Sequence, residues 1–333
     1  MKKILEVRYP DVRGLPDHAF FLSSILDDKE VDKWLSNQYI HITCNKNFVE
    51  RNTLGFDFFM DYYRCPYLET SYLPNVLVRD DREKAWDLLK QLLEENYYIA
   101  LSMDENIVPN RQFYQCGKAT YHNNFLYGYD ESRVYLGCFD RIGKYIFEAL
   151  PIELFLRALW IDEEHKLRLS KRVKNDRYDI NNIYIYRSLE DYIRGTDLEQ
   201  EYAYCVSDRV SKTKAYGWNV YEYMMEFYFT LNCTGIEVDL RPIFMLIEQK
   251  RCMLKRLEVL ECNVNVSAKE YQADYINMVK ELNIALNYLI KYSFCGKIDC
   301  LKRASEKIGI CREKEKNLFS DLIAFYKEVK NYG

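Results

Sequence analysis

The apolar positions of this chain change period along its length, and those changes mark out its elements. Residues 1–16 read as extended backbone, restricted by Pro10 and Pro16. From Asp17 the spacing turns helical, with Asp17 as a capping residue and Leu22, Ile25 and Leu26 on one face. A second short helix is expected from Lys29 to Gln38, with Val31, Trp34 and Leu35 inward. Tyr39–Cys44 alternates and is β-branched, which predicts a strand, and Leu54–Met60 is another candidate. Residues 81–96 form an amphipathic helix: Ala85, Trp86, Leu88, Leu89, Leu92 and Leu93 are apolar against polar Arg82, Glu83, Lys84, Lys90 and Glu94. Tyr97–Leu101 follows as a buried strand. Two strands, Ala119–Tyr129 and Arg133–Phe139, flank the turn Asp130-Glu131-Ser132, and Gly143–Phe147 predicts a third antiparallel neighbour.

Helices followed by consecutive strands indicate an α+β fold rather than alternating βαβ units. No glycine-rich phosphate loop is present, which argues against a doubly wound nucleotide fold. After Pro151 the pattern changes. Ile152–Ile161 reads as a helix and 162–181 as a polar, basic linker or surface excursion. From Trp218 onward helical spacing dominates, over Tyr221–Leu231, Leu240–Leu260, a long helix capped by Ser267 and running to about Tyr292, then Cys300–Ile310 and Glu313–Val329. Two domains follow: residues 1–160, and a mostly helical 161–333 that caps a cleft or docks a partner.

Composition narrows the class. Of 333 residues, 48% are hydrophobic, enough for a sizeable core. The 30 Tyr and 17 Phe point first to a tyrosine-rich core and second to an aromatic-lined pocket. A net charge of -4, from 47 basic and 51 acidic residues, gives no reason to expect nucleic acid or an anionic membrane as partner. No apolar run approaches the ~20 residues that span a bilayer, and the start lacks a signal-peptide core. The 11 cysteines contain no CxxC pair and do not look like a secreted disulfide framework. A cytoplasmic protein is the expectation. No metal cluster stands out, so neither metal nor bound cofactor is expected.

Four histidines could carry chemistry. His165 sits in a solvated charge run, and His41 alternates within a strand as a structural residue. His122 begins the segment His122-Asn123-Asn124-Phe125-Leu126-Tyr127-Gly128-Tyr129-Asp130, where a strand start gives rigid placement. The next strand ends at Asp140, which neighbouring antiparallel strands could bring beside His122 to hold its tautomer. A hairpin with an incidental histidine is the alternative.

His-x6-Tyr-Asp, followed by a strand and Asp140, resembles the His and Asp segments of papain-like and C39-peptidase-like domains. The helix and strand over 86–101, and the Gly143–Phe147 strand before a helix, fit the same pattern. The resemblance covers roughly residues 15–160 and is closest to domains of the butirosin-biosynthesis N-terminal type. Similar clostridial enzymes of carrier-protein pathways, of the closthioamide type, form amides. The resemblance implies an acyltransferase that takes an acyl chain from a carrier-protein thioester onto a cysteine and passes it to a small amine. His122 would act as base and acid and Asp140 would orient it. Phosphopantetheine would sit on the partner, an acyl or peptidyl carrier protein.

The implied cysteine belongs at the N-terminus of the first helix, where the macrodipole lowers its pKa. The helix here opens Pro16-Asp17-His18-Ala19 and carries none. Three readings stay open: an inactive domain that binds a carrier or another partner; His18 or Asp17 working in the vacant position; or a cysteine from elsewhere. Cys65 is the preferred candidate, beside Arg64, which would favour a thiolate, and before Pro66. A peptidase is the remaining alternative.

Overall fold

The computed structural model describes residues 2–26, 29–59, 65–74, 81–160, 166–175, 177–198, 213–234, 237–264 and 267–330. In chain order these form β1 (Lys3–Ile4), α1 (Pro16–Ser23), α2 (Lys29–Ser36), β2 (Ile42–Asn45), α3 (Phe48–Arg51), β3 (Asp57–Phe58), β4 (Leu68–Pro74), α4 (Arg82–Glu94), β5 (Tyr97–Asp104), β6 (Tyr121–Tyr129), β7 (Arg133–Phe139) and β8 (Tyr145–Pro151). Then come α5 (Ile152–Ala158), β9 (Leu159–Trp160), β10 (Lys166–Arg172), α6 (Asn182–Arg194), β11 (Lys214–Tyr216), α7 (Val220–Thr234), α8 (Arg241–Val264), α9 (Lys269–Cys295) and α10 (Ile298–Lys330). The chain is therefore mixed, with an antiparallel sheet and a helical C-terminal region. No helix among the described residues is long and apolar enough to cross a membrane.

Two compact units divide it: residues 1–31 with 61–176, and residues 32–60 with 177–333. The sequence placed a single division at 160. The first unit extends further because the supposed linker 162–181 contains β10, a strand between β4 and β5 in the antiparallel order β4-β10-β5-β6-β7-β8. Its Leu167 and Leu169 are buried while Lys166 and Arg168 alternate with them, so a half-buried strand lay within a basic run.

Registered partners share a face, and side chains alternate along each strand. His122 faces Met103, Asn124 faces Leu101 and Leu126 faces Ile99, so these six lie on one face. A bulge between Leu126 and Gly128 returns Tyr129 to that face, opposite Val134. There α4 packs, with Trp86 meeting Tyr129 at 5.6 Å and Phe155 of α5 at 5.7 Å. Asp81 starts α4 by accepting from the amides of Glu83 and Lys84, and Ala85, Trp86, Leu89 and Leu93 are buried. Leu89 and Leu93 contribute about 1.5–3 kcal/mol each by burial. The opposite face holds Ala100 and Phe125. There α1 lies, with Phe20 stacked on Phe125 at 5.6 Å and Ser23 Oγ 3.0 Å from the Tyr145 hydroxyl.

In the second unit β2 sits between β11 and β3. Residues 32–60 belong here because their backbone is held by the helices. Arg256 of α8, fully buried, donates to the carbonyls of Ser36 and Gln38, and Gln249 donates to that of Ile40 at 3.1 Å. The helical core encloses an ion pair, Lys250 of α8 with Glu315 of α10. Burial lowers the Lys250 pKa, and the Glu315 carboxylate opposes that shift. Tyr192 donates to Glu315 at 3.0 Å, and Lys250 lies 5.2 Å from the ring of Tyr221. Such a pair fixes the packing partner of each helix more than it adds stability.

Three helical expectations change. α6 had not been read from the sequence. Ser267 is not the cap of α9: the N-cap is Ala268, whose amide donates to the Glu261 carboxylate of α8. The two expected C-terminal helices are one, α10, buried through the supposed break at Cys311.

Candidate functional site

All five residues singled out for chemistry lie in the first unit, with His122 and the head of α1 on opposite faces of its sheet. His122 starts on β6 with a side chain 47% exposed. Its Nδ1 stands 2.9 Å from Oε2 of Glu105, a buried carboxylate. The approach is an ion-pair distance without hydrogen-bond alignment, since Glu105 Oε2 has no hydrogen-bond partner. The ring of Phe113 lies 5.2 Å from the imidazole.

Glu105 reaches His122 because of the loop between β5 and β6. Asp104 Oδ1 accepts from the amides of Asn106 and Thr120, each at 3.0 Å, which closes the loop at its base. The Glu105 amide donates to Thr120 O at 2.8 Å, and Gln115 donates to Asn106 O at 2.9 Å. Arg111, from the same loop, is fully buried and donates to Glu148 of β8. Burial alone would lower the Arg111 pKa, but the bond to Glu148 and the charges around it hold the guanidinium protonated. Cys138 lies beside this pair, its thiol pushed up to about 12 by burial, with Arg111 pulling the other way.

Asp140 has a different task from the one expected. Its Oδ1 accepts from the amides of Ile142 at 3.0 Å and Lys144 at 2.9 Å, so it anchors the turn between β7 and β8. A carboxylate committed to two turn amides is held in place by them, and the carboxylate at the imidazole is Glu105. Sequence reasoning missed Glu105 because it precedes His122 by a whole loop. The register Met103↔His122 brings its neighbour Glu105 close, and register is not written in spacing.

The residues at the head of α1 are on the other face of the sheet from His122. Asp17 accepts from Arg168 at 2.8 Å. Arg168 is registered with Ala100, three residues along β5 from Met103, the partner of His122. His18 is buried, 1% exposed. Asp17 caps nothing, since the N-cap is Leu15 and no side chain caps the helix.

Cys65 precedes β4 and is 6% exposed. Burial pushes its thiol up to about 12, against backbone hydrogen bonds at Tyr67 and Leu68. The thiolate expected of a nucleophile is therefore not favoured at Cys65. Arg64, which was to stabilise it, lies outside the described residues, as does His165. Every described thiol with a displaced pKa is displaced upward: Cys44, Cys65, Cys138, Cys300 and Cys311.

Chemically, the arrangement can hold and orient an exposed imidazole. It places a buried carboxylate behind that imidazole, and the described thiols with displaced pKa values, Cys65 among them, are all displaced upward. Comparison with known proteins gives no match to a family model and none to a curated sequence.

Proposed function

We propose that the first unit is a papain-like domain that binds a carrier protein or similar partner without forming a covalent intermediate. One observation carries this reading: His122 and the head of α1 project from opposite faces of the sheet, so the nucleophile position of the resembled family is separated from its base. The buried, high-pKa thiol of Cys65 supports it as well. The antiparallel sheet crossed by α1 is compatible with the papain-like pattern and is the coarser part of the reading.

The acyltransferase reading rests on a different observation, the exposed His122 backed by Glu105. A carboxylate behind an imidazole is what general-base catalysis uses. One experiment separates the two. The protein, His122→Ala and Cys65→Ala are each incubated with an acyl-loaded carrier protein and a small amine. Intact mass, amide product and carrier binding are then recorded. Binding by all three proteins, with neither adduct nor amide, is expected. An acyl adduct lost in Cys65→Ala, or an amide lost in His122→Ala, would overturn the binding reading in favour of acyl transfer. Absence of carrier binding would remove the carrier as partner.

A further inference from the structure

Two of the dispersed cysteines meet in the folded chain, in the second unit. Cys295 is the last residue of α9 and Cys300 lies in the first turn of α10. Between them Gly296 takes the left-handed conformation, φ +61°, which suits glycine at a helix end. Its amide donates to Tyr292 O at 2.8 Å, and the Cys300 amide donates to Lys297 O at 2.9 Å. This tight turn sets Cys295 Sγ 4.0 Å from Cys300 Sγ. The sequence gives no hint of it, because the spacing is C-x4-C and falls across two helices.

The two thiols differ in access. Cys295 is exposed and Cys300 is 4% exposed. An oxidant therefore reaches Cys295 first, and Cys300 waits beneath it in contact. The helices on either side are tied together, with Lys307 Nζ 2.7 Å from Glu281 and Arg303 3.4 Å from the Tyr288 hydroxyl. Those ties keep the thiols facing each other. A bonded pair stands about 2.0 Å apart, so closure asks the two side chains for roughly 2 Å. An exposed turn built on a glycine can absorb that movement. Cys116, another exposed thiol, has polar neighbours instead: its Sγ lies 3.2 Å from Lys118 O and 3.7 Å from Asn106 Oδ1.

We propose that Cys295 and Cys300 form a reversible redox pair, which closes to an intramolecular disulfide when a peroxide reaches the exposed thiol. The Cys295 thiolate attacks one peroxide oxygen; the S–O bond forms, the O–O bond breaks, and the departing hydroxide takes a proton to leave as water. The Cys300 thiolate then attacks the sulfenic sulfur; the S–S bond forms, the S–O bond breaks, and a second water leaves. Two thiols and one hydrogen peroxide become one disulfide and two waters, with two electrons passed to the peroxide. A small dithiol reverses the change by thiol–disulfide exchange.

Tryptic mapping of the full chain tests this directly. Cleavage after Lys291, Lys297 and Lys302 releases Cys295 in the peptide 292–297 and Cys300 in the peptide 298–302. After hydrogen peroxide and alkylation of remaining thiols, the two peptides are expected joined as one species, short of two hydrogen atoms and separated by dithiothreitol. Cys295→Ser and Cys300→Ser should each abolish the joined species, while Cys116→Ser keeps it. In Cys300→Ser, Cys295 should run on to sulfinic and sulfonic acid. Overoxidised Cys295 in the native chain, to the same extent as in Cys300→Ser, would overturn the proposal. So would a Cys295–Cys295 link between two copies of the chain.

Discussion

His41 and Cys65 carry groups that are reactive in water and are displaced by burial in opposite senses. His41 is 7% exposed. Burial lowers its pKa from 6.5 to about 4, Asp191 opposing and Arg256 adding to the shift. Below about pH 6.5 the unfolded chain takes up a proton that the folded chain refuses until about pH 4. Stability should therefore fall as pH drops through that window, by on the order of 3 kcal/mol from this residue alone, and show no His41 contribution above it. Urea unfolding across the window should give a flatter dependence for His41→Gln; equal slopes would dismiss the histidine as the cause. Cys65 should be silent to alkylation because its thiol is covered and raised to about 12. Brief iodoacetamide treatment of the native protein is expected to label the exposed Cys116, Cys262 and Cys295 and leave Cys65 unmodified. Rapid labelling of Cys65 would restore it as a nucleophile candidate. At this scale the sequence was informative about the backbone at His122, which was expected on a strand and lies on β6. It was uninformative about partners. Glu105 and Arg111 come from a loop whose path depends on Asp104 and Asn106 accepting backbone amides, and no spacing rule anticipates that closure.

Elements were readable wherever one period held over many residues. Arg82–Glu94 and Arg133–Phe139 fall within a residue or two of their expected bounds, because an amphipathic stripe and a strict alternation are strong local signals. The failures have physical causes. β10 was hidden by its charges: Lys166, Arg168, Lys171 and Arg172 dominate the composition, while only Leu167, Leu169 and Ser170 are buried. Two of those cations have partners that composition does not show, Arg168 with Asp17, and Arg172 with the carbonyls of Ser24 and Glu6. α10 was divided in two although its buried positions Ala304, Ile308, Cys311, Glu315, Leu318, Phe319 and Leu322 continue at helical spacing through the supposed break. The uninterrupted helix makes Gly309 testable. A Cβ there would meet only Met225 Sδ at 3.6 Å, an ordinary contact. Gly309→Ala should therefore stabilise the protein by about 0.5–1 kcal/mol, by removing backbone freedom from the unfolded chain. Chemical denaturation gives the check, and a loss of stability would mean that the helix is interrupted there after all.

At the scale of the whole molecule, the chain does not divide where its composition changes. The first unit takes residues 1–31 and 61–176, and the second takes 32–60 and 177–333. Each unit thus owns a piece that a cut at 160 would assign to the other. For the second unit that piece carries the carbonyls of Ser36, Gln38 and Ile40, which accept from Arg256 and Gln249 and without which those side chains would be unanswered buried donors. For the first unit the piece is β10, seven residues paired along their whole length with β4 and over four residues with β5. Its loss would detach β4 from the sheet, expose the ladder edge of β5, and leave Asp17 without Arg168. A fragment of residues 1–160 should accordingly lack a cooperative thermal transition and aggregate through that edge. A fragment of residues 1–176 restores β10 and should melt cooperatively with the near-ultraviolet signal of packed aromatics. Circular dichroism and gel filtration on the two fragments decide the matter. If the shorter fragment melted as cooperatively as the longer one, β10 would be an ornament on a sheet complete without it. The basic segment would then be a linker in energetic terms, whatever its hydrogen bonds.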